Sequence, residues 1–396
     1  MICFRGWVFI NWGFIKMKIL ATTKMRGAGN VLAPVIKGLL ARGHEVDVYA
    51  TGNENEASAS FKDIAHQHIP EIPDYAYAGL VNGHQAVITG LSGSESSDGY
   101  FIRVANSLSI PTISVLDRDG EYAMRFGRSN TSNNWDNLPT IITVPTAECL
   151  YSITRDLPLE DAKWLCNQAQ VVGWAQFDHY AEMAHQFTEE ARLGLCQKLG
   201  IFPRRDLNLY VHFTQNQDPN SDYWNKVSLP ESKKQEIFDY KMKVTKAVFE
   251  AASELGIKLV IKPHPGEKYP LNHTLDLVQK HGFVYLPADS CTTPELILAA
   301  TSVTADKSSC LTDACLLDRN TAGMVPAITE EERCTFPPLE HGAIPYARTF
   351  DEIKTTLKLI TFPNEQEQEQ LSWMRGRFSV DGKAAQKIID LVERLA

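Results

Sequence analysis

The eight cysteines, at positions 3, 149, 166, 196, 291, 310, 315 and 334, form no Cys-x-x-Cys pair. No His/Cys cluster has zinc spacing either, so a structural zinc module is not expected. Thiols scattered in this way read as reduced and mostly buried in a cytoplasmic protein. Basic charge is also short: 39 Lys and Arg against 48 Asp and Glu give a net charge of -9. That balance argues against a protein that wraps nucleic acid by neutralising its backbone, while leaving room for a local basic pocket. There is no Gly-x-Ser-x-Gly elbow, no phosphate-binding P-loop and no His-Glu-x-x-His helix, which removes the usual signals for a hydrolase triad, a P-loop ATPase or a zinc protease. The segment "MICFRGWVFINWGFIK" is apolar, but no small-x-small cleavage site follows it and it is too short to span a bilayer. Residues 1–16 therefore read as a disordered extension or an upstream-start artefact, with "MKILATT" from Met17 as a natural beginning.

What the chain does have is alternation. With 396 residues, 44% hydrophobic and 22% charged, it is a globular protein long enough for two cores. Short apolar runs alternate with longer amphipathic stretches, the mark of βαβ units around a parallel sheet. Strands are expected at 18–23, 45–51, 85–91, 112–117, 140–145 and 169–174, with helices at 30–43 and 99–109. A charged helical segment near 178–199 then separates two halves. The alternation restarts with strands at 207–215, 258–263, 283–287 and 302–306, and helices at 233–256, 271–282, 293–301 and 310–318. The polar "NEQEQEQ" run reads as a solvated loop or helix end, and the tail as a closing amphipathic helix. The fold class is thus α/β, with two Rossmann-like doubly wound domains facing a cleft. The expected domains are 17–180 (N-terminal, acceptor side), a linker helix at 181–206, a nucleotide-binding domain at 207–375 and the closing helix at 376–396.

Open parallel sheets bind ligands beyond the carboxyl ends of their strands. After the strand at 258–263 stands "IKPHPGE", in which Pro263 and Pro265 stiffen the loop and hold His264 at a defined angle. An imidazole so placed can donate to a phosphate or take up a proton; the competing reading is a rigid turn whose histidine caps the next helix. After the strand at 302–306 comes "DKSSCLTDA", where Lys307, Ser308 and Ser309 could meet phosphate oxygens and Asp313 could accept from ribose hydroxyls. Ser309 alone would be an ordinary N-cap, and Asp313 an ordinary solvated helix residue. Thr214 and Gln215 form a polar loop on the same edge. Both the His-Pro and the Ser-Ser loops at neighbouring strand ends favour an anion site.

In the first half, "TTKMRGAGN" is a Gly-rich turn where Gly27 and Gly29 permit close approach of backbone to a ligand. It lacks the third glycine of the dinucleotide fingerprint. "GLSGSESSDG", with Ser92 and Ser94, is a second such loop, and Asp117 and Asp119 follow a third strand. A carboxylate there could remove a proton from an acceptor hydroxyl, although Asp117 could equally form a structural pair with Arg125.

Taken together, "IKPHPGE", "ADKSSCLTDACLLD" and the closing "DGKAAQKIIDLVERL" resemble the GT-B superfamily. The likeness is to bacterial surface-polysaccharide glycosyltransferases, CDP-glycerol glycerophosphotransferase-like proteins and UDP-GlcNAc 2-epimerase-like proteins. It implies a metal-independent, cofactor-free transferase acting in cell-surface polysaccharide biosynthesis. The donor would be a UDP-, CDP- or CMP-linked sugar and the acceptor a glycan or lipid-linked sugar, in the cytoplasm or at the inner face of the membrane. By that resemblance His264, Ser308 and Ser309 contact phosphates, Asp313 contacts ribose and an N-terminal carboxylate, Asp119 or Asp117, is the base; Lys262 is expected to join His264 and the serines in stabilising charge on the departing diphosphate. A nucleotide-sugar 2-epimerase and a non-catalytic nucleotide-binding protein are the alternatives.

Overall fold

The computed structural model describes residues 16–52, 58–70, 72–90, 97–116, 137–154, 157–201, 208–214, 229–263, 272–329, 333, 336–376, 378 and 380–395. The chain divides into two compact units. One comprises the described residues up to Gln176 together with those from Lys383 onward; the other is Phe177–Gly382.

The first unit holds a seven-stranded, wholly parallel sheet. Its strands are β1 (Lys18–Thr23), β2 (Glu45–Thr51), β3 (Gln67–Ile69), β4 (Ala86–Gly90), β5 (Thr112–Val115), β6 (Ile141–Val144) and β7 (Ala169–Val171). Their order is β3-β2-β1-β4-β5-β6-β7. β1 is central and reads Lys-Ile-Leu-Ala-Thr-Thr, apolar on both faces because helices cover both. Those helices are α1 (Arg26–Ala41), α2 (Asp74–Val81), α3 (Ser97–Ser107), α4 (Ala147–Thr154) and α5 (Leu159–Gln168). Helix α1 buries Val31, Leu32, Val35, Ile36 and Leu39, the i, i+4, i+8 stripe that faces the sheet. On the other face Tyr77 and Phe101 pack edge-to-face, with ring centroids 4.9 Å apart.

In the second unit the sheet has six parallel strands in the order β10-β9-β8-β11-β12-β13. They are β8 (Tyr210–Thr214), β9 (Leu259–Pro263), β10 (Val284–Tyr285), β11 (Ser302–Ala305), β12 (Asn320–Met324) and β13 (Tyr346–Ala347). Its helices include α6 (Asp178–Gln186), α7 (Glu189–Lys198), α8 (Glu231–Glu254), α9 (Asn272–His281) and α10 (Thr293–Ala299). Three more are α11 (Cys310–Leu316), α12 (Glu352–Thr361) and α13 (Glu365–Gly376). Val248, Phe249 and Ala252 of α8 join Ile257, Leu259, Ile261 and Ile353 in one core.

One segment folds differently from the expectation. Residues 181–206, read as one linker helix, instead carry the end of α6 and all of α7, both part of the second unit. The break is local: Phe187 leaves the helical region (φ -81°, ψ 91°) and the Thr188 hydroxyl accepts from the Ala191 amide to start α7. The "NEQEQEQ" run, as expected, is a largely exposed helix end, at the start of α13. The closing helix α14 (Ala384–Leu395) packs its Ile388, Ile389, Leu391 and Val392 face into the core of the first unit. Charge then fixes its outer edge. Arg42 pairs with Asp390 at 2.9 Å and with Glu393, and His44 Nε2 lies 2.9 Å from Glu393. Among the described residues, no helix is long and apolar enough to cross a membrane.

Candidate functional site

Strands β9, β8 and β11 are neighbours at the middle of the second sheet, so the segments that leave their carboxyl ends share one edge. Thr214 closes β8 there and is buried. Gln215 and His264 lie outside the described residues. Lys262 sits one residue before the end of β9 and is 1% exposed. Its ammonium donates to the Ala288 carbonyl at 2.5 Å. Burial holds its pKa below the ordinary lysine value, against the pull of nearby Cys291 and Asp289. The ammonium of Lys262, read from the sequence as a phosphate ligand, is directed at the chain following β10.

The segment after β11 is richer. The Asp306 carboxylate is largely buried, and burial raises its pKa even though Lys241 Nζ stands 3.8 Å away. One of its oxygens has no hydrogen-bond partner among the described residues. Lys307 and Ser309 are exposed and Ser308 half-buried. Ser309 precedes α11 with helical backbone angles, so its hydroxyl makes no capping hydrogen bond. Asp313, one turn later, is not a solvated helix residue. Burial pushes its pKa up to about 6, partly offset by a hydrogen bond from the Tyr180 hydroxyl of α6. Burial in turn raises the pKa of Tyr180. Within 306–313 the structure thus gathers two carboxylates of raised pKa and two serine hydroxyls. Asp306 was missed by sequence reasoning; its position as the residue leaving β11 was the available signal. His212, in mid-β8, is a satisfied core residue: its Nδ1 lies 2.9 Å from Thr304 Oγ1, and burial lowers its pKa to about 4.

At the carboxyl edge of the first sheet, Gly27 and Gly29 lie in the first turn of α1, not in a loop before it. A Cβ on Gly29 would stand 2.7 Å from Ser60 Cβ, so this glycine serves packing between the helix and the Ser58–Phe61 turn. Ser92, Ser94, Asp117 and Asp119 lie outside the described residues. What is described is a buried polar cluster: Thr23, Thr51, Ser97 and Asp98. The Thr51 hydroxyl meets Ser97 Oγ and donates to the Thr23 carbonyl at 3.3 Å, while the Lys24 amide donates to Asp98 Oδ2 at 3.4 Å. Asp98 is 0% exposed, a burial that a carboxylate tolerates only with several polar neighbours. Sequence reasoning passed over it inside the Ser-Ser-Asp-Gly stretch; an acidic residue in the first turn of an amphipathic helix was the signal that could have found it. Among the described residues, no group of three or more His, Cys, Asp or Glu could hold a metal ion.

No protein-family model and no curated protein sequence matches the chain. Solved structures do. One is the UDP-GlcNAc 2-epimerase of Neisseria meningitidis bound to UDP-GlcNAc, at 14% identity and a TM-score of 0.62, covering 94% of this chain and 99% of that one. MurG of Acinetobacter baumannii matches at 12% identity and a TM-score of 0.57, over 96% and 99% of the two chains. The glycotransferase of kitacinnamycin matches at 13% and 0.53, again over 96% and 99%. Each pairs two Rossmann-like domains, the GT-B fold, and this chain has that fold along almost its whole length.

Proposed function

We propose that this GT-B chain is an enzyme of nucleotide sugars, and that it transfers a sugar from an activated donor to a cell-surface glycan or lipid-linked acceptor. The observation carrying this reading is the 306–313 segment at the carboxyl edge of the second sheet, with its two serine hydroxyls and two carboxylates of raised pKa. Hydroxyls and backbone amides there suit a diphosphate, and a carboxylate suits ribose hydroxyls. Similar structures were solved with UDP-GlcNAc and, for the Staphylococcus aureus MnaA, with UDP.

In this reading Ser308, Ser309 and His264 receive charge as the bond from the anomeric carbon to the diphosphate breaks. An acceptor hydroxyl attacks that carbon and gives its proton to a carboxylate base. Asp117 and Asp119 are candidates from the sequence, and Asp98 joins them as the buried acid in the first turn of α3.

A second reading, 2-epimerisation of the nucleotide sugar, is favoured by the Neisseria meningitidis epimerase, which matches at a TM-score of 0.62. One assay separates the two. The full chain is incubated with UDP-GlcNAc, with and without a glycan acceptor, and products are read by mass spectrometry and NMR. Release of UDP only when acceptor is present supports transfer, whereas appearance of the C2 epimer without acceptor supports epimerisation. In parallel, Ser308→Ala combined with Ser309→Ala should weaken UDP binding about a hundredfold, the value of two charge-assisted hydrogen bonds. No binding of UDP, CDP or CMP by the wild-type chain would overturn both readings.

A further inference from the structure

The opposite edge of the second sheet carries a pocket that the reading above does not use. It opens at the amino ends of the strands, where Asn208 precedes β8, Thr301 precedes β11 and Asn320 begins β12. Its volume is about 470 Å³, within the range of small-molecule sites. Three guanidinium groups line it: Arg192 from α7, Arg319 before β12 and Arg375 from α13.

These arginines are held in fixed orientations. Arg192 places Nε and Nη2 on the two oxygens of Glu189, both at 2.8 Å. Arg319 turns Nε and Nη2 onto the Ile297 and Leu298 carbonyls at 3.3 and 3.0 Å, capping the end of α10. Arg375 donates to Asp318, Asn320 and Ser372. Among the described residues, neither Arg192 Nη1 nor Arg319 Nη1 has a protein acceptor. Compensation of charge is also incomplete. The lining holds three cations against Glu189 and Asp318, whose side chains are 51% and 81% exposed. Arg192 and Arg375 are only 15% and 5% exposed. Guanidinium groups with spare donors favour an oxyanion, since carboxylate and phosphate oxygens match their fork geometry.

The remaining lining narrows the ligand. Asn208, Gln368, Thr301 and Ser372 supply carboxamides and hydroxyls suited to alcohol groups, and none of the described lining residues is aromatic. A nucleobase would find no ring to stack on, whereas a sugar ring would find partners for its hydroxyls.

We propose that this pocket binds a small hydroxylated anion, a sugar phosphate or sugar acid, at a second site on the sheet edge opposite the 306–313 segment. Arg192 and Arg319 grip the anionic group, and the carboxamides and hydroxyls receive the sugar hydroxyls. Glu189 competes with the ligand for Arg192.

Isothermal titration calorimetry on the full chain tests this, with glucose 6-phosphate, glucuronate and inorganic phosphate as probes, each with and without saturating UDP. Saturable binding of a sugar anion, tighter than inorganic phosphate and unchanged by UDP, is expected; whichever of the two sugars binds identifies the anionic group. Arg192→Gln should weaken it about tenfold through loss of one charge-assisted contact. Glu189→Gln should tighten it by freeing Arg192, a gain that a misfolded variant cannot mimic. The proposal falls if neither sugar anion binds saturably, if UDP abolishes the binding, if inorganic phosphate binds equally well, or if Arg192→Gln leaves affinity unchanged. Because UDP serves only as a competitor, loss of the nucleotide-sugar reading would leave this result interpretable.

Discussion

Replacing Asp313 by Asn should stabilise the protein at neutral pH and not at acid pH. The carboxyl is buried beside Tyr180, and its pKa rises from 3.8 to about 6 in the folded chain. A raised acid pKa means that the folded state holds its proton more tightly than the unfolded chain, so stability declines as pH rises between the two values. The penalty is absent below pH 3.8, accumulates up to about pH 6 and is constant above it. From that shift it amounts to about 3 kcal/mol at neutral pH. Asparagine cannot ionise, yet its amide oxygen can still accept from the Tyr180 hydroxyl, so the packing and the hydrogen bond survive. For a folding unit of this size the gain corresponds to a Tm increase on the order of 5–10 °C. Calorimetric melting of both proteins from pH 4 to pH 8 would show curves that converge at the acid end and diverge above pH 6. Parallel curves, or a variant less stable at pH 8, would refute the reasoning. In the proposed function the same substitution weakens nucleotide binding. A residue that costs stability and gains function is the expected signature of a site.

Two further substitutions probe packing and protonation elsewhere. A Cβ on Gly90 would stand 2.6 Å from Ala28 Cβ and 3.2 Å from its backbone, where α1 passes the end of β4. Gly90→Ala should therefore destabilise by about 1–3 kcal/mol, measurable by urea unfolding. His212 is neutral in the fold, with a pKa lowered to about 4 from 6.5, so it withdraws stability as pH falls through that window. His212→Gln, which can keep the contact to Thr304, should flatten the acid limb of the stability profile measured in the same way.

Much of the architecture is legible in one dimension, and the omissions have physical causes. Strands such as Leu259–Pro263 announce themselves because parallel strands covered on both faces become continuous β-branched runs. Asn320–Met324 does not, since Asn-Thr-Ala-Gly-Met lacks that enrichment, and its place in the sheet is set by pairing with β11. The two-residue strand β13 exists only through its neighbour β12. The candidate site divides in the same way. Ser308, Ser309 and Asp313 could be placed at a strand end from pattern alone. The burial that distinguishes Asp306, Asp98 and Asp313, and that turns Lys262 toward Ala288, arises from contacts across the sheet and leaves no mark in local spacing.

Helix α14 has a consequence for the order in which the chain can fold. The second unit is continuous in sequence, whereas the core of the first is completed by Ile388, Ile389, Leu391 and Val392, more than two hundred residues downstream of β7. During synthesis the second unit can reach its native packing while the first still waits for the helix that closes it. The N-terminal sheet must then remain under-packed, with apolar faces of α1 exposed, for the time needed to translate Phe177–Gly382. At about 5–20 residues per second that is on the order of ten to forty seconds, an interval in which a chaperone would find its substrate in the part of the chain made first.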